Sequence, residues 1–167
     1  MANAGLMGAE ADGKFHPNQL ATRADIAKII YNFADKDKIF DSFKDVEGHW
    51  AKIYILVAAG NGWITGYPDG TFRPDGNVTR AEAVAIINRV LDRVPADQTR
   101  LFFNMNHYSD VTANDWFYLP VQEATTSHTY ERTSYLKNFA DENWLERIPN
   151  INWTLVEMDM RLRMLQF

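Results

Sequence analysis

The chain has 167 residues, no cysteine, and 17 basic against 22 acidic side chains, for a formal net charge of −5. That length holds one compact unit or a few very small ones, and 46% hydrophobic with 13% aromatic residues is enough for a packed core, which excludes wholesale disorder. The missing cysteines exclude a disulfide scaffold, a zinc ribbon and thiol catalysis, and the acidic balance argues against a general nucleic-acid binder.

The longest unbroken apolar run, Ile53 to Ala59, is far short of the roughly 20 residues that cross a bilayer. Met1 to Gly8 has neither the basic start nor the long apolar stretch of a signal peptide. All nine glycines lie at or before Gly76, so the chain changes character partway along.

In chain order, the first predicted element is a helix over 22–34. Thr22 is its N-cap and Asp25 stands at the third helical position, the pairing of a capping box. A second helix is predicted over 49–59, with Trp50, Ile53, Tyr54, Val57 and Ala58 at helical spacing and Gly60 and Gly62 as stop signals. At that spacing Trp50 reads as a core residue in preference to an exposed platform. Tyr67-Pro68-Asp69-Gly70 and Pro74-Asp75-Gly76-Asn77 read as turns. A third helix is predicted over 79–92, with Thr79 and Glu82 repeating the capping box. Its Ala81, Val84, Ala85, Ile86, Ile87, Val90 and Leu91 leave little polar face, which predicts burial. Further on, Pro120 should kink or shorten a helix that follows Trp116, and a last helix is predicted over 153–166, capped by Thr154 with Glu157.

These elements repeat. At an offset of 57, Asp12-Gly13 falls on Asp69-Gly70, Phe15 on Phe72, Pro17 on Pro74, and Thr22-Arg23-Ala24-Asp25 on Thr79-Arg80-Ala81-Glu82, without a gap. A fainter third copy aligns Tyr108-Ser109-Asp110-Val111 with Phe43-Lys44-Asp45-Val46, Trp116 with Trp50, and Pro149 to Thr154 with Pro74 to Thr79. The copies divide the chain at 1–36, 37–95 and 96–167. The first lacks the opening helix, so the chain starts partway through a repeat, as an excised piece of a longer parent would. The expected fold is all-α: three helix-turn-helix copies, with the helices over 22–34, 79–92 and 153–166 packed as a central three-helix bundle.

The capping box explains Thr79 and Glu82 but not Arg80. A cation at the first helical position faces the positive end of the helix dipole unless an anion lies nearby. Arg23 repeats the pattern. Two readings are open. In one, each Arg and the free N–H groups beside it hold a carboxylate or phosphate ligand. In the other, the Arg is salt-bridged to a neighbouring acid, with Asp75 or Asp45 the candidates.

No pair of acids stands in a hydrolase motif, so no catalytic residue is assigned. Asp69, Asp75 and Asn77 do not have EF-hand spacing, and the four histidines have no ligand spacing, so neither a metal nor a cofactor is expected. Gly66 to Gly70 is too short and too acidic to cradle a phosphate.

Phe43-Lys44-Asp45-Val46, His49-Trp50-Ala51, Gly66-Tyr67-Pro68-Asp69-Gly70-Thr71-Phe72-Arg73-Pro74 and Thr79-Arg80-Ala81-Glu82 closely resemble the S-layer homology domain. The resemblance implies three copies folded as a pseudo-threefold helical spindle. It implies non-covalent anchoring of an exported protein to the bacterial cell wall. The implied ligand is a secondary cell-wall polysaccharide bearing a pyruvate ketal, or peptidoglycan in some lineages, bound in grooves between copies near the helix N-termini. Arg80 and, by match, Arg23 are the residues it ties most closely to binding. Asp45, Trp50, Gly66, Asp69, Gly70 and Glu82 occupy motif positions near such grooves. The third copy departs from the pattern, with Leu155 in place of the Arg and Ser127 to Arg147 in place of the Gly-bearing turn. The alternative is a structural or protein-interaction module of the cell envelope with weak or lost glycan binding and possible self-association. Charge follows the same division, because residues 1–100 hold 12 basic and 13 acidic side chains and residues 101–167 hold 5 and 9.

Overall fold

The structure, a computed structural model, describes residues 12–95, 97–134 and 141–148. The chain forms two compact units, residues 1–92 and 93–167.

The first unit is helical. Helix α1 spans Arg23–Ile30 and tightens into a 3-10 turn over Tyr31–Phe33, α2 spans Lys52–Gly60, and α3 spans Arg80–Val90. Both capping boxes form as the sequence requires. Thr22 Oγ1 accepts from the Asp25 N–H at 3.2 Å while the Asp25 carboxylate accepts from the Thr22 N–H at 2.8 Å. Thr79 and Glu82 do the same at 3.2 and 2.9 Å.

The core joins Ala24, Ala27 and Ile30 of α1 to Ala51, Ile55 and Ala58 at and along α2, with Phe43, Val46 and Phe72 contributed by the intervening segments. The buried stripe of α2 therefore passes through Ala51, Ile55 and Ala58 and not through Trp50 and Ile53, which are 56% and 46% exposed. This corrects the expectation that Trp50 is core. Trp50 lies before the first helical residue, and its small neighbour Ala51 takes the inward position. Helix α3 also differs from expectation. It buries Ala85 and Ile86 and leaves Ile87 and Leu91 exposed, one turn apart on one face.

The second unit contains β1 (Val94–Pro95), a 3-10 turn (Gln98–Arg100), α4 (Tyr118–Thr125), β2 (His128–Ser134) and β3 (Asp141–Arg147). The strands form one sheet in the order β1-β3-β2, with β1 parallel and β2 antiparallel to β3. The fold is helix-rich, but the sheet departs from the expected all-α fold, and its strands β2 and β3 lie within Ser127 to Arg147. Pro120 sits in the first turn of α4, where its missing N–H costs no helical hydrogen bond. The predicted helix over 153–166 lies outside the described residues, and so does the packing of a three-helix bundle that depends on it. Among the described residues, no helix is long and apolar enough to cross a membrane.

Candidate functional site

The two motif arginines occupy matching positions and meet opposite fates. Arg23 is 9% exposed, and its guanidinium is fully engaged. Nε donates to the Phe72 carbonyl at 2.8 Å, one terminal nitrogen to the Thr65 carbonyl at 2.9 Å, and the other to Glu82 Oε1 at 3.1 Å. The group also lies 4.5 Å from the centre of the Phe72 ring and 5.1 Å from that of Tyr67. Arg23 therefore fastens the start of α1 to the segment between α2 and α3 and to the first turn of α3. Its acid partner is Glu82, not Asp75 or Asp45.

The helix start beside Arg23 is also filled from within. The Arg23 and Ala24 N–H groups donate to the carbonyls of Gly76 and Pro74, each at 2.9 Å, and the Val78 N–H returns a bond to the Ala21 carbonyl at 3.1 Å. With Asp25 N–H on Thr22 Oγ1 and Thr22 N–H on the Asp25 carboxylate, all four N–H groups that a helix start leaves unsatisfied have partners.

Helix α3 begins differently. Arg80 is exposed, and among the described residues nothing pairs with its guanidinium or accepts from the backbone N–H of Arg80 or Ala81. Two N–H groups at the positive end of an 11-residue helix thus stand next to a cation that has no partner among the described residues.

The other predicted site residues build the frame around the two helix starts. The Asp45 carboxylate accepts from the Phe72 N–H at 2.8 Å and the Arg73 N–H at 2.7 Å. Partial desolvation alone would raise its pKa, but these two N–H groups outweigh that and hold it below the usual value. They also stabilise the left-handed backbone of Arg73 (φ 58°), a conformation unusual for a residue with a side chain. Asp69 accepts from the Thr71 hydroxyl at 2.6 Å and N–H at 3.0 Å and pairs with Arg73 at 2.9 Å, which together hold its carboxyl well below the ordinary range. For Glu82, burial again works upward, and the Thr79 N–H and hydroxyl followed by Arg23 bring the pKa down. All three carboxylates are already occupied by the fold.

Gly66 and Gly70 shape the same turn. A Cβ on Gly66 would lie 2.5 Å from the Phe43 ring and 2.7 Å from the Thr71 carbonyl oxygen. Gly70 has φ +82°, which side chains rarely adopt. Replacing Gly66 by alanine should therefore cost about 1–3 kcal/mol through overpacking against a ring and a backbone atom that cannot both give way. A denaturant titration of the variant checks this, and an unchanged midpoint would count against the close approach.

Trp50 stands on the surface. Its ring meets Tyr54 edge-on at 6.2 Å and His49 at 5.5 Å, with Lys28 Nζ 5.7 Å from its centre. His49 Nε2 in turn lies 3.2 Å from the Asp75 carboxylate in the turn that leads to α3. Lys28 and Tyr54 were not singled out by motif. Lys28 is far from Trp50 in sequence, and no spacing rule pairs them. Among the described residues, no group of His, Asp and Glu side chains could hold a metal ion.

Comparison with known proteins agrees with this geometry. Residues 1–27 and 42–84 match the profile of the S-layer homology domain. A "Cellulosome-anchoring protein" of Acetivibrio thermocellus is 40% identical over 133 residues, covering 75% of this chain and 29% of the relative. "Cell surface glycoprotein 1" of the same organism is 32% identical over 154 residues, covering 82% of this chain and 6% of the relative. "S-layer protein EA1" of Bacillus anthracis is 40% identical over 78 residues, covering 46% of this chain and 9% of the relative. The chain spans less than a third of the length of each of these relatives. Through residues 1–27 and 42–84, where both capping boxes and both motif arginines lie, the chain belongs to the S-layer homology domain family.

Proposed function

We propose that the chain is a non-catalytic module that anchors a cell-surface protein to the bacterial cell wall. Its ligand is an anionic wall glycan, a pyruvylated secondary polysaccharide in preference to peptidoglycan, bound at the start of α3. The observation that carries the reading is the contrast between the two arginines. Arg23 has three acceptors inside the fold, while Arg80 and the N–H groups of Arg80 and Ala81 have none among the described residues. A pyruvate carboxylate supplies the negative charge and paired oxygens that such a group takes up. Asp45, Asp69, Gly66, Gly70 and Glu82 act by holding the turn and the helix start in place. Trp50 adds an exposed aromatic face for a sugar ring. The names of the relatives, an anchoring protein and surface-layer proteins, support the same localisation outside the cell. The division into copies at 1–36, 37–95 and 96–167 and their spindle packing form part of this proposal.

The test is sedimentation with isolated walls. Arg80→Ala should weaken wall binding roughly ten- to a hundredfold, the equivalent of about 1.5–3 kcal/mol for a charge-assisted contact. Walls stripped of secondary polysaccharide should bind neither protein. If stripped walls bind as well as intact ones, peptidoglycan is the ligand. If Arg80→Ala sediments like the wild type, the arginine-centred site is wrong. A second reading, a protein-interaction module, rests on the exposed Ile87 and Leu91 of α3. It is favoured if wild-type protein does not sediment with either preparation.

A further inference from the structure

The second unit keeps a charged cluster in its interior. Glu123 on α4 and His128 at the start of β2 have fully buried side chains, and the proposed wall site uses neither. Both ring nitrogens of His128 face an acceptor: Nδ1 lies 2.7 Å from the Thr126 carbonyl oxygen and Nε2 lies 3.4 Å from Glu123 Oε2. A neutral imidazole carries one N–H and one lone pair. A neutral ring would therefore aim a lone pair at one of these oxygens, and only the imidazolium offers a proton to both.

The surroundings favour that cation. The Trp144 indole on β3 stacks on His128 with ring centres 3.9 Å apart and planes 25° apart, presenting its electron-rich face. The same indole donates its N–H to Glu123 Oε2 at 3.1 Å, a hydrogen bond that favours the carboxylate form. Arg93 holds the other oxygen, Oε1, at 3.0 Å. Arg93 repels a second cation, and burial alone disfavours one. The carboxylate, the carbonyl and the indole face oppose both. Tyr130 places its ring 6.1 Å from that of His128. Of the other charged side chains described on these strands, Glu131 and Glu146 are exposed, and Arg147 donates to the Asn104 carbonyl and to Asn106.

We propose that His128 is held as a buried imidazolium that ties β2 to α4 through Glu123, and that loss of this single proton to solvent releases the β2–β3 hairpin. The second unit is thereby a pH-responsive element, independent of wall binding. The sign follows from the direction of the linkage. Histidine in an unfolded chain titrates near about 6.5. A group held protonated in the fold contributes stability that is complete below that value and is lost as pH rises through its folded pKa.

The test uses the full chain labelled with 15N. Two-bond 1H–15N spectra of the imidazoles are recorded from about pH 5 to 9, with His16→Gln, His49→Gln and His107→Gln assigning His128 by exclusion. The expected result is near-equal, imidazolium-type shifts for both His128 nitrogens at about pH 7.5. Amide exchange, corrected for intrinsic rate, should show protection of β2 and β3 falling at least tenfold between about pH 6 and 9, with α1 and α2 unchanged. A neutral tautomer of His128 at about pH 7.5, or hairpin protection that does not fall, overturns the proposal. Both readouts come from the native His128, so neither depends on a His128 variant folding.

Discussion

Arg23→Ala is expected to destabilise the first unit by about 3 kcal/mol, while Arg80→Ala, the same change at the matching position of the same motif, stays within about 0.5 kcal/mol. Removing the Arg23 side chain leaves the carbonyls of Thr65 and Phe72 without their donor and leaves Glu82 facing a gap. Breaking a buried pair from one side costs about 3–5 kcal/mol. The lower end applies here, because Glu82 is partly exposed and keeps its bonds to Thr79. For a unit of this size the loss corresponds to a fall of roughly 12–24 °C in Tm. Arg23→Lys should recover little, since one ammonium cannot reach three acceptors arranged for a planar fork. Thermal unfolding followed by circular dichroism separates the two arginines, and equal effects at both positions would refute the division of roles.

Phe72→Ala is the other large loss, about 3–5 kcal/mol. The ring is 1% exposed, packs on Phe43 at 5.4 Å and carries the Arg23 guanidinium 4.5 Å from its centre. The substitution keeps the Phe72 backbone, so the bonds from its N–H to Asp45 and from Arg23 Nε to its carbonyl are retained. The effect then isolates the ring. Because the two side chains touch, the double variant with Arg23→Ala should lose less than the sum of the single losses, by about 0.5–3 kcal/mol. Denaturant midpoints of the four proteins of the cycle measure this. Strict additivity would mean that the stacked guanidinium contributes nothing through the ring.

The parts of the fold that follow from contacts a few residues apart were legible in the sequence. Both capping boxes, and with them the starts of α1 and α3, are set by pairs three residues apart, and Pro120 marks the first turn of α4. The fate of Arg23 was not legible in the same way. Two of its three acceptors are backbone carbonyls of a distant turn, and carbonyls leave no mark on residue identity. Trp50 was misassigned because period alone finds an apolar stripe without fixing which of two adjacent stripes faces inward. Ala51 is small enough to take the inward place, and Trp50 is not. The β2–β3 pairing was missed because its inward residues include His128, which pattern counts as polar, and because the strands carry two register irregularities that break simple alternation.

The short antiparallel bridge between Thr22 and Asn77 gives the first unit a direction. The turn at Pro74 to Gly76 plugs the start of α1, and Arg23 reaches forward to Thr65, Phe72 and Glu82, so the contact is head to tail and uses two different surfaces. This junction consumes the helix start of α1. Under the proposed function, an anionic ligand is left only the helix starts that keep N–H groups without an acceptor, as that of α3 does among the described residues. On that reading, stronger attachment would come from placing more chains side by side on the wall, each adding one such helix start.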